Sequence, residues 1–323
     1  MENAIHIVLA SDGNYFPYIY VAVKTLFEHN KQENVVVHYI EQNVDKQYLN
    51  ALVELGVVYD QEIDIIPFSL PQTYEECLPA FGAASKTTYA KFWFASMFPS
   101  LDRVLYLDPD IIVLDNIRDL YDTDFQGNLI AAVIENLPVY HREASLMDKD
   151  DSYINGGMVL CNLTAWRGIG FEELALERLK DTTHNLNYDQ GILNEICCGK
   201  IKVLHPKYAV LAEVFEFKSA EKIKKRYGFK SYYSQEEIDE AISHPVIVHF
   251  TGFFYGKPMS KKCTHPYTAY FQDILRDAPF PYTLTDKDID KKKKVRKFFL
   301  HHMPFGMYLI LENLLDIRRK RLL

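Results

Sequence analysis

The chain has no apolar run near the ~18 residues that a membrane-spanning helix requires. No basic stretch precedes its first apolar segment, which directly follows Met1-Glu2-Asn3, so neither a spanning segment nor a signal peptide is expected. Cysteine is sparse. The five present (Cys77, Cys161, Cys197, Cys198 and Cys263) form an odd set without CxxC spacing, and the adjacent Cys197-Cys198 pair is poorly placed to bridge. Reduced thiols in a cytosolic chain are the expectation. Glycine-rich phosphate loops are missing too: neither GxGxxG nor GxxxxGK[ST] occurs, which disfavours dinucleotide-dependent oxidoreductases and P-loop nucleotidases. There is no internal repeat, and low complexity is confined to the lysine run at 291–294.

What is there is a globular composition of 323 residues, 48% hydrophobic and 25% charged, long enough to bury a full core. The net charge of −8, from 36 Lys+Arg against 44 Asp+Glu, conceals an asymmetry. Lys291 to Leu323 holds ten basic and two acidic residues, +8, which leaves 26 basic against 42 acidic residues, −16, for residues 1–290. So acidic a body is a poor partner for nucleic-acid phosphates, and no nucleic-acid role is expected. The organisation predicted is a body over residues 1–280 and a basic amphipathic helical tail over 281–323.

The body alternates strand-like and helix-like patterns, the signature of an α/β fold with a mostly parallel sheet flanked by helices. Strands are predicted at 5–10, 35–40, 63–66, 129–134, 157–161, 201–204 and 246–248, and helices at 17–29, 45–55, from Lys86, at 171–180 and at 189–198. Residues 67–85, with Pro67, Pro71 and Pro79, read as an irregular connection, and the polar stretch 218–243 as a peripheral excursion. Between Arg103 and Leu114, two apolar strand segments are interrupted by Asp108-Pro109-Asp110.

That interruption carries the chemistry. Two carboxylates one residue apart at a strand terminus suit a divalent cation that also holds diphosphate oxygens. Alone, an acidic triplet is weak evidence, and an Asp-Pro-Asp turn needs no metal. Its position at the carboxyl edge of an open α/β sheet strengthens the metal reading. Asp12 and Asn14 follow the first strand at the same edge; they suit a pyrimidine edge or ribose hydroxyls, or simply an Asx turn. His249 ends an apolar strand and could complete a metal site or be a structural histidine, with Lys257 nearby to neutralise a phosphate. Asn155-Gly156-Gly157 and Asp189-Gln190-Gly191 are polar knots that turns would also explain.

In order, six segments resemble glycosyltransferase family 8, which includes bacterial lipopolysaccharide galactosyl- and glucosyltransferases: residues 10–15 (ASDGNY), 87–91 (TTYAK), 104–113 (VLYLDPDIIV), 153–158 (YINGGM), 187–194 (NYDQGILN), and 249–252 (HFTG) with Lys257-Pro258. The resemblance spans about residues 4–270. It implies a GT-A fold and a retaining transferase that uses Mn2+, with Mg2+ as the alternative, and UDP-galactose or UDP-glucose as donor. It further implies Ala10, Asp12 and Asn14 at the uridine; Asp108, Asp110 and His249 on the metal, with Asp108 also at the nucleotide; and Gly252 and Lys257 at the diphosphate. Lys91, Asn155, Asp189 and Gln190 fall at the donor sugar, with Gln190 and Asp189 the candidate catalytic residues. Two routes to retention remain, front-face substitution or double displacement; an amide such as Gln190 is a poor nucleophile, which favours the first. Glu135 stands where the family commonly has aspartate, a candidate sugar contact. Two additional residues separate Gly252 from Lys257, and Met259 replaces a usual tryptophan.

The tail joins basic clusters at 291–297 and 318–321 to an aromatic, apolar segment, the pattern of an interfacial anchor on anionic lipid. The alternative is a C-terminal helix docked on its own domain. The functional expectation is transfer of galactose or glucose to a cell-envelope glycan (lipopolysaccharide, capsule or another lipid-linked saccharide) by a cytoplasmic enzyme peripheral on the inner face of the cell membrane. The competing readings are extension of a sugar on a surface protein and a catalytically silent UDP-sugar-binding scaffold.

Overall fold

The apolar run Ile-His-Ile-Val-Leu-Ala forms β1 (Ile5–Asp12), which hydrogen-bonds in parallel to a strand on either side and is therefore buried on both faces. The structure is a computed structural model that describes residues 3–69, 76, 86–180 and 187–320. The other strands are β2 (Val35–Gln42), β3 (Glu62–Pro67), β4 (Arg103–Leu107), β5 (Ile111–Val113), β6 (Ile130–Ile134), β7 (Ile154–Asn162), β8 (Ile201–Val203), β9 (Val210–Leu211) and β10 (Ile247–His249). Helices of eight or more residues are α1 (Phe16–His29), α2 (Lys46–Tyr59), α3 (Phe171–Lys180), α4 (Tyr188–Cys197), α5 (Ala220–Tyr227), α6 (Gln235–Ser243), α7 (Thr268–Arg276), α8 (Lys291–His302) and α9 (Phe305–Lys320).

Seven strands form one sheet in the order β3-β2-β1-β4-β7-β6-β8, in which only β7 runs antiparallel to its neighbours. A small second sheet has the order β5-β10-β9. The period of two along β1 divides the core. Ile5, Ile7 and Leu9 pack on one face with Ile19 and Val23 of α1, while Val8 and Ala10 pack on the other with Phe92 and Trp166. The chain leaves β1 toward β2 on one side and is joined by β4 on the other. This reversal opens a crevice at the carboxyl ends of β1 and β4, where Asp12 and Asp108 lie.

Three expectations change. Asn155-Gly156-Gly157 is no turn; it lies inside β7, which begins three residues earlier than the apolar pattern indicates because one amide side chain and two glycines interrupt that pattern after the core residue Ile154. The helix from Lys86 is a 3-10 stretch, Lys86–Trp93, followed by one α-turn, Phe94–Met97. Residues 218–243 are not peripheral: α5 and α6 bury Ile223, Tyr227, Ile238 and Ala241 in the main core. Their charged outward faces hide this in a composition-based reading. Of the connection expected at 67–85, all but 67–69 and 76 lies outside the described residues. The cysteines among the described residues are free, as expected.

The tail is helical, and it docks on the body with its polarity inverted. Tyr308, Glu312 and Asp316, spaced by four along α9, face inward, while Met307, Ile310, Leu314 and Ile317 lie more than half exposed on the other side. Glu312 accepts paired hydrogen bonds from Arg296 of α8 (2.6 Å each) and another from Arg226 of α5 (2.7 Å), which also reaches Asp316 (2.7 Å).

Candidate functional site

The ladder between β4 and β7 continues one bond past β4, with the Asp108 amide donating to the Gly157 carbonyl at 2.7 Å. Pro109 then turns the chain out of the large sheet and into β5 of the small one, so Asp108 and Asp110 sit at the seam between the two. Across that seam, His249 is in register with Ile111, and the Asp110 carbonyl accepts the Phe250 amide at 2.9 Å. Two sheets thus converge three side chains from distant parts of the sequence. Ligand atoms of Asp108, Asp110 and His249 all lie within 4.8 Å of one another.

His249 Nε2 lies 3.2 Å from Asp110 and 3.7 Å from Asp108. Its Nδ1 is 3.0 Å from the Asn155 side-chain oxygen, which also accepts the Gly157 amide at 3.0 Å. With Nδ1–H donating there, Nε2 turns its lone pair toward the carboxylates, the arrangement by which metal-binding imidazoles are oriented. Gly157 is required by space: a Cβ there would fall 2.3 Å from His249 Cε1 and 2.6 Å from an Asp108 oxygen.

Burial raises the Asp108 pKa, and Asp110 adds to it, only partly offset by Lys91 and His249. Among the described residues, its carboxylate accepts a hydrogen bond from the Tyr106 hydroxyl, at 2.8 Å. Burial also disfavours the charged form of Asp110, but the Lys257 ammonium and His249 override this and hold it well below the usual carboxylate range. Desolvation would lower His249; the two aspartates push it up instead. Two carboxylates and an imidazole, convergent, with Asp110 and His249 buried and the Asp108 side chain 29% exposed, fit a hard divalent cation.

Around this centre is a cleft of about 220 Å³ bordered by Ala10, Asp12, Asp108, Asp110 and Lys257. Asp12 caps the following 3-10 turn by accepting from the Asn14 amide at 2.9 Å, so the Asx-turn reading holds and the residue borders the cleft as well. Lys257 bonds to Asp110 and donates to the Phe250 carbonyl at 2.8 Å. The two additional residues before it are absorbed in a turn in which the Gly252 carbonyl accepts the amides of Tyr255 and Gly256. Gly252 and Gly256 both have positive φ, 88° and 82°.

A second polar group adjoins the first. Lys91, buried, pairs with Asp189 at 2.5 Å, donates to the Gly156 carbonyl at 3.2 Å and lies 4.2 Å from the centre of the Tyr106 ring. Thr88 donates to the other Asp189 oxygen at 3.4 Å, and the Gln190 side-chain carbonyl accepts the Gly156 amide at 2.9 Å. Glu135 is buried and accepts from Asn155 Nδ2 at 2.5 Å; burial raises its pKa and the Asn155 bond works against the rise. Asn14 and Gly252 do not border the cleft themselves.

Sequence reasoning missed several residues. Tyr106, two before Asp108 on β4, lies on the same strand face, a period-two signal that could have found it. Thr88 and Tyr15 also border the cleft; both lie in segments that carry the family resemblance, 87–91 and 10–15, without a role assigned to them there. Glu213, buried with its pKa pushed up to about 8 by burial and by Glu135, had no signal at all.

The description Glycosyl transferase family 8 matches residues 6–261. A lipopolysaccharide 1,2-glucosyltransferase of Escherichia coli is 26% identical over 307 residues, covering 91% of this chain and 85% of that protein. A lipopolysaccharide 1,3-galactosyltransferase of Salmonella typhimurium is 23% identical, covering 86% and 79%. Among solved structures, the galactosyltransferase LgtC in complex with donor and acceptor sugar analogs superposes with a TM-score of 0.72 at 22% identity, over 86% of this chain and 98% of that one. The mostly parallel seven-stranded sheet flanked by helices is the GT-A fold of that structure. From the matched family description over most of its length, this chain belongs to glycosyltransferase family 8.

Proposed function

We propose that this protein is a retaining hexosyltransferase that moves galactose or glucose from a UDP-sugar to a cell-envelope glycan, with Mn2+ or Mg2+ held by Asp108, Asp110 and His249. The observation that carries the reading is the convergence of those three side chains at the sheet seam, in a cleft that Ala10, Asp12 and Lys257 also border. Uridine would lie against Ala10, Asp12 and Asn14, the diphosphate against Gly252 and Lys257, and the sugar toward Lys91, Glu135, Asn155, Asp189 and Gln190.

The bound cation would supply Lewis-acid stabilisation of the departing diphosphate. The chain's own contribution begins with Lys257, whose ammonium can pass from Asp110 to a phosphate oxygen as charge develops there. Asp189 is occupied by Lys91 and Thr88, so its carboxylate is ill suited to attack an anomeric carbon. Gln190, fixed by the Gly156 amide, offers an amide dipole rather than a nucleophile. Both facts favour front-face substitution over double displacement. The undercompensated Asp108 calls for a cation and argues against a silent scaffold. For location, the apolar row on α9 and the exposed lysines 291–294 support a peripheral site on the anionic inner face of the cell membrane; no helix among the described residues is long and apolar enough to cross a membrane.

The test is UDP release from a panel of UDP-sugars with Mn2+, with Mg2+ and with EDTA, followed by linkage analysis of the product. Release from UDP-galactose or UDP-glucose that EDTA abolishes is expected. Undiminished release in EDTA would exclude the metal assignment, and no release from any UDP-sugar would exclude the donor.

A further inference from the structure

The turn from Gly252 to Lys257 has two sides. Lys257 faces Asp110 in the cleft, while Phe254 and Tyr255 face the C-terminal helices. Arg296 of α8 lies over the Phe254 ring, 5.4 Å from its centre, and Lys297 over the Tyr255 ring at 4.3 Å. Glu216, whose side chain is 2% exposed, binds Lys297 (3.1 Å) and His301 (2.6 Å) of α8 and borders the same cavity as Tyr255, whose hydroxyl pKa burial and this carboxylate push up. Phe217 meets Phe253 of the turn on one edge and Phe305 and Tyr308 of α9 on others.

The segment entering α8 continues the contact. Thr285 exchanges backbone hydrogen bonds with Met259 and Lys261, the Lys287 carbonyl accepts the Ser260 hydroxyl at 2.6 Å, and a Cβ on Gly256 would touch Ile289 at 3.4 Å. Elsewhere between α8 and the body there is space: a cavity of about 470 Å³ opens among Phe215, Glu216, Tyr255, Tyr267, Lys297 and His301. Phe299 and Leu300 of α8 pack on the main core, while its coupling to the turn runs through a few side chains.

We propose that the C-terminal helical pair is a working part of the donor site, with Lys297 and Arg296 as positioning residues that fix the Gly252–Lys257 turn from behind and so aim Lys257 at the donor diphosphate. This rests on the reading of that turn as the diphosphate contact. A free turn with two positive-φ glycines would sample many conformations. Clamping Tyr255, two residues before Lys257, removes that freedom before the donor arrives and leaves less to be ordered on binding. Contacts of α8 and α9 with a membrane surface would then reach the cleft through Tyr255.

The test is binding of UDP and of uridine, each with Mn2+, to the full-length protein and to Lys297→Met and Lys297→Arg variants, with thermal melting as a fold control. Methionine keeps the stem but loses the cation over Tyr255 and the pair with Glu216; arginine keeps both. Lys297→Met should weaken UDP about fivefold, leave uridine unchanged because the contacts of Lys297 are with Glu216 and Tyr255 and not with the loop of Asp12 and Asn14, and raise the donor KM more than it lowers kcat. Lys297→Arg should restore UDP binding. Unchanged UDP affinity in Lys297→Met would overturn the proposal, as would equal weakening of UDP and uridine, or failure of arginine to restore binding. If Lys297→Met does not fold, Glu216→Gln, which keeps the size of the side chain but loses both ion pairs, makes the same comparison. Absence of UDP binding to the unaltered protein would instead overturn the donor assignment itself.

Discussion

Two charge clusters among the described residues, one at the tail interface and one in the cleft, are built on opposite principles. At the tail interface, Arg226 and Arg296 close on Glu312 and Asp316; the neighbouring arginines hold Glu312 below its ordinary value despite burial, and the guanidinium of Arg226 is held above its own. Every charge there has a partner, and the cluster is finished as folded. In the cleft, Asp110 is held low by Lys257 while Asp108, two residues away, is raised by burial with the Tyr106 hydroxyl as a hydrogen-bond donor. That cluster is unfinished, and Lys257, with its side chain 46% exposed, is a cation free to leave. Burial alone does not separate a structural ion pair from a functional site; the degree of compensation does.

The sharpest way to break this contrast is to remove one member from each cluster. Asp110→Asn should lower metal-dependent UDP release by about a hundredfold or more, yet cost less stability than a break in the tail cluster, since Lys257 can turn to solvent and the repulsion between Asp108 and Asp110 is removed. Arg226→Met should do the reverse in a thermal or urea melt, costing about 3 kcal/mol because it removes the buried cation shared by Glu312 and Asp316 and leaves them only Arg296 and Arg319. Equal losses of stability in the two variants would erase the distinction.

Glu213 lies electrostatically between the clusters, facing Glu135 and His249 on the cleft side and Lys293 on the tail side. A carboxyl whose proton is held more tightly in the folded state stabilises the fold at acid pH, and that contribution is lost as pH rises from the unfolded value of ~4.3 toward the folded value of about 8. Glu213→Gln should therefore barely alter melting at pH 5 and raise stability at pH 8.5 by on the order of 2 kcal/mol. An equal shift at both values would mean that Glu213 titrates normally. The smallest effect on the fold is expected from Ile310→Asp with Leu314→Asp, at positions 63% and 60% exposed. Stability should move by no more than about 0.5 kcal/mol, while co-sedimentation with anionic vesicles is lost. Retained sedimentation would detach the tail's apolar face from the membrane.

Much of this was legible because strands buried on both faces and short polar interruptions leave marks in one dimension. β1, β2, β4 and α3 stand close to where periodicity predicts them, and Asp108, Asp110 and His249 were identifiable as strand-end residues. Asn155 was legible only as a polar residue in a knot; that it buttresses His249 depends on β7 lying beside β4. The helices at 220–243 were hidden because their composition is that of a solvated segment, and only their packing against Tyr308 and the sheet makes them core.

The sequence by itself determined which residues could form buried strands and which polar groups interrupt them, because hydrophobic period and turn chemistry are local properties of neighbouring residues. It determined equally that the last 33 residues carry charge of the opposite sign to the rest. Tertiary structure decided which way those residues face. The tail turns Glu312 and Asp316 inward and Ile310, Leu314 and Ile317 outward, because Arg226, 86 and 90 positions earlier, supplies a partner that makes burying carboxylates tolerable. No local rule contains that information: the free energy of a buried charge depends on what the rest of the fold places beside it.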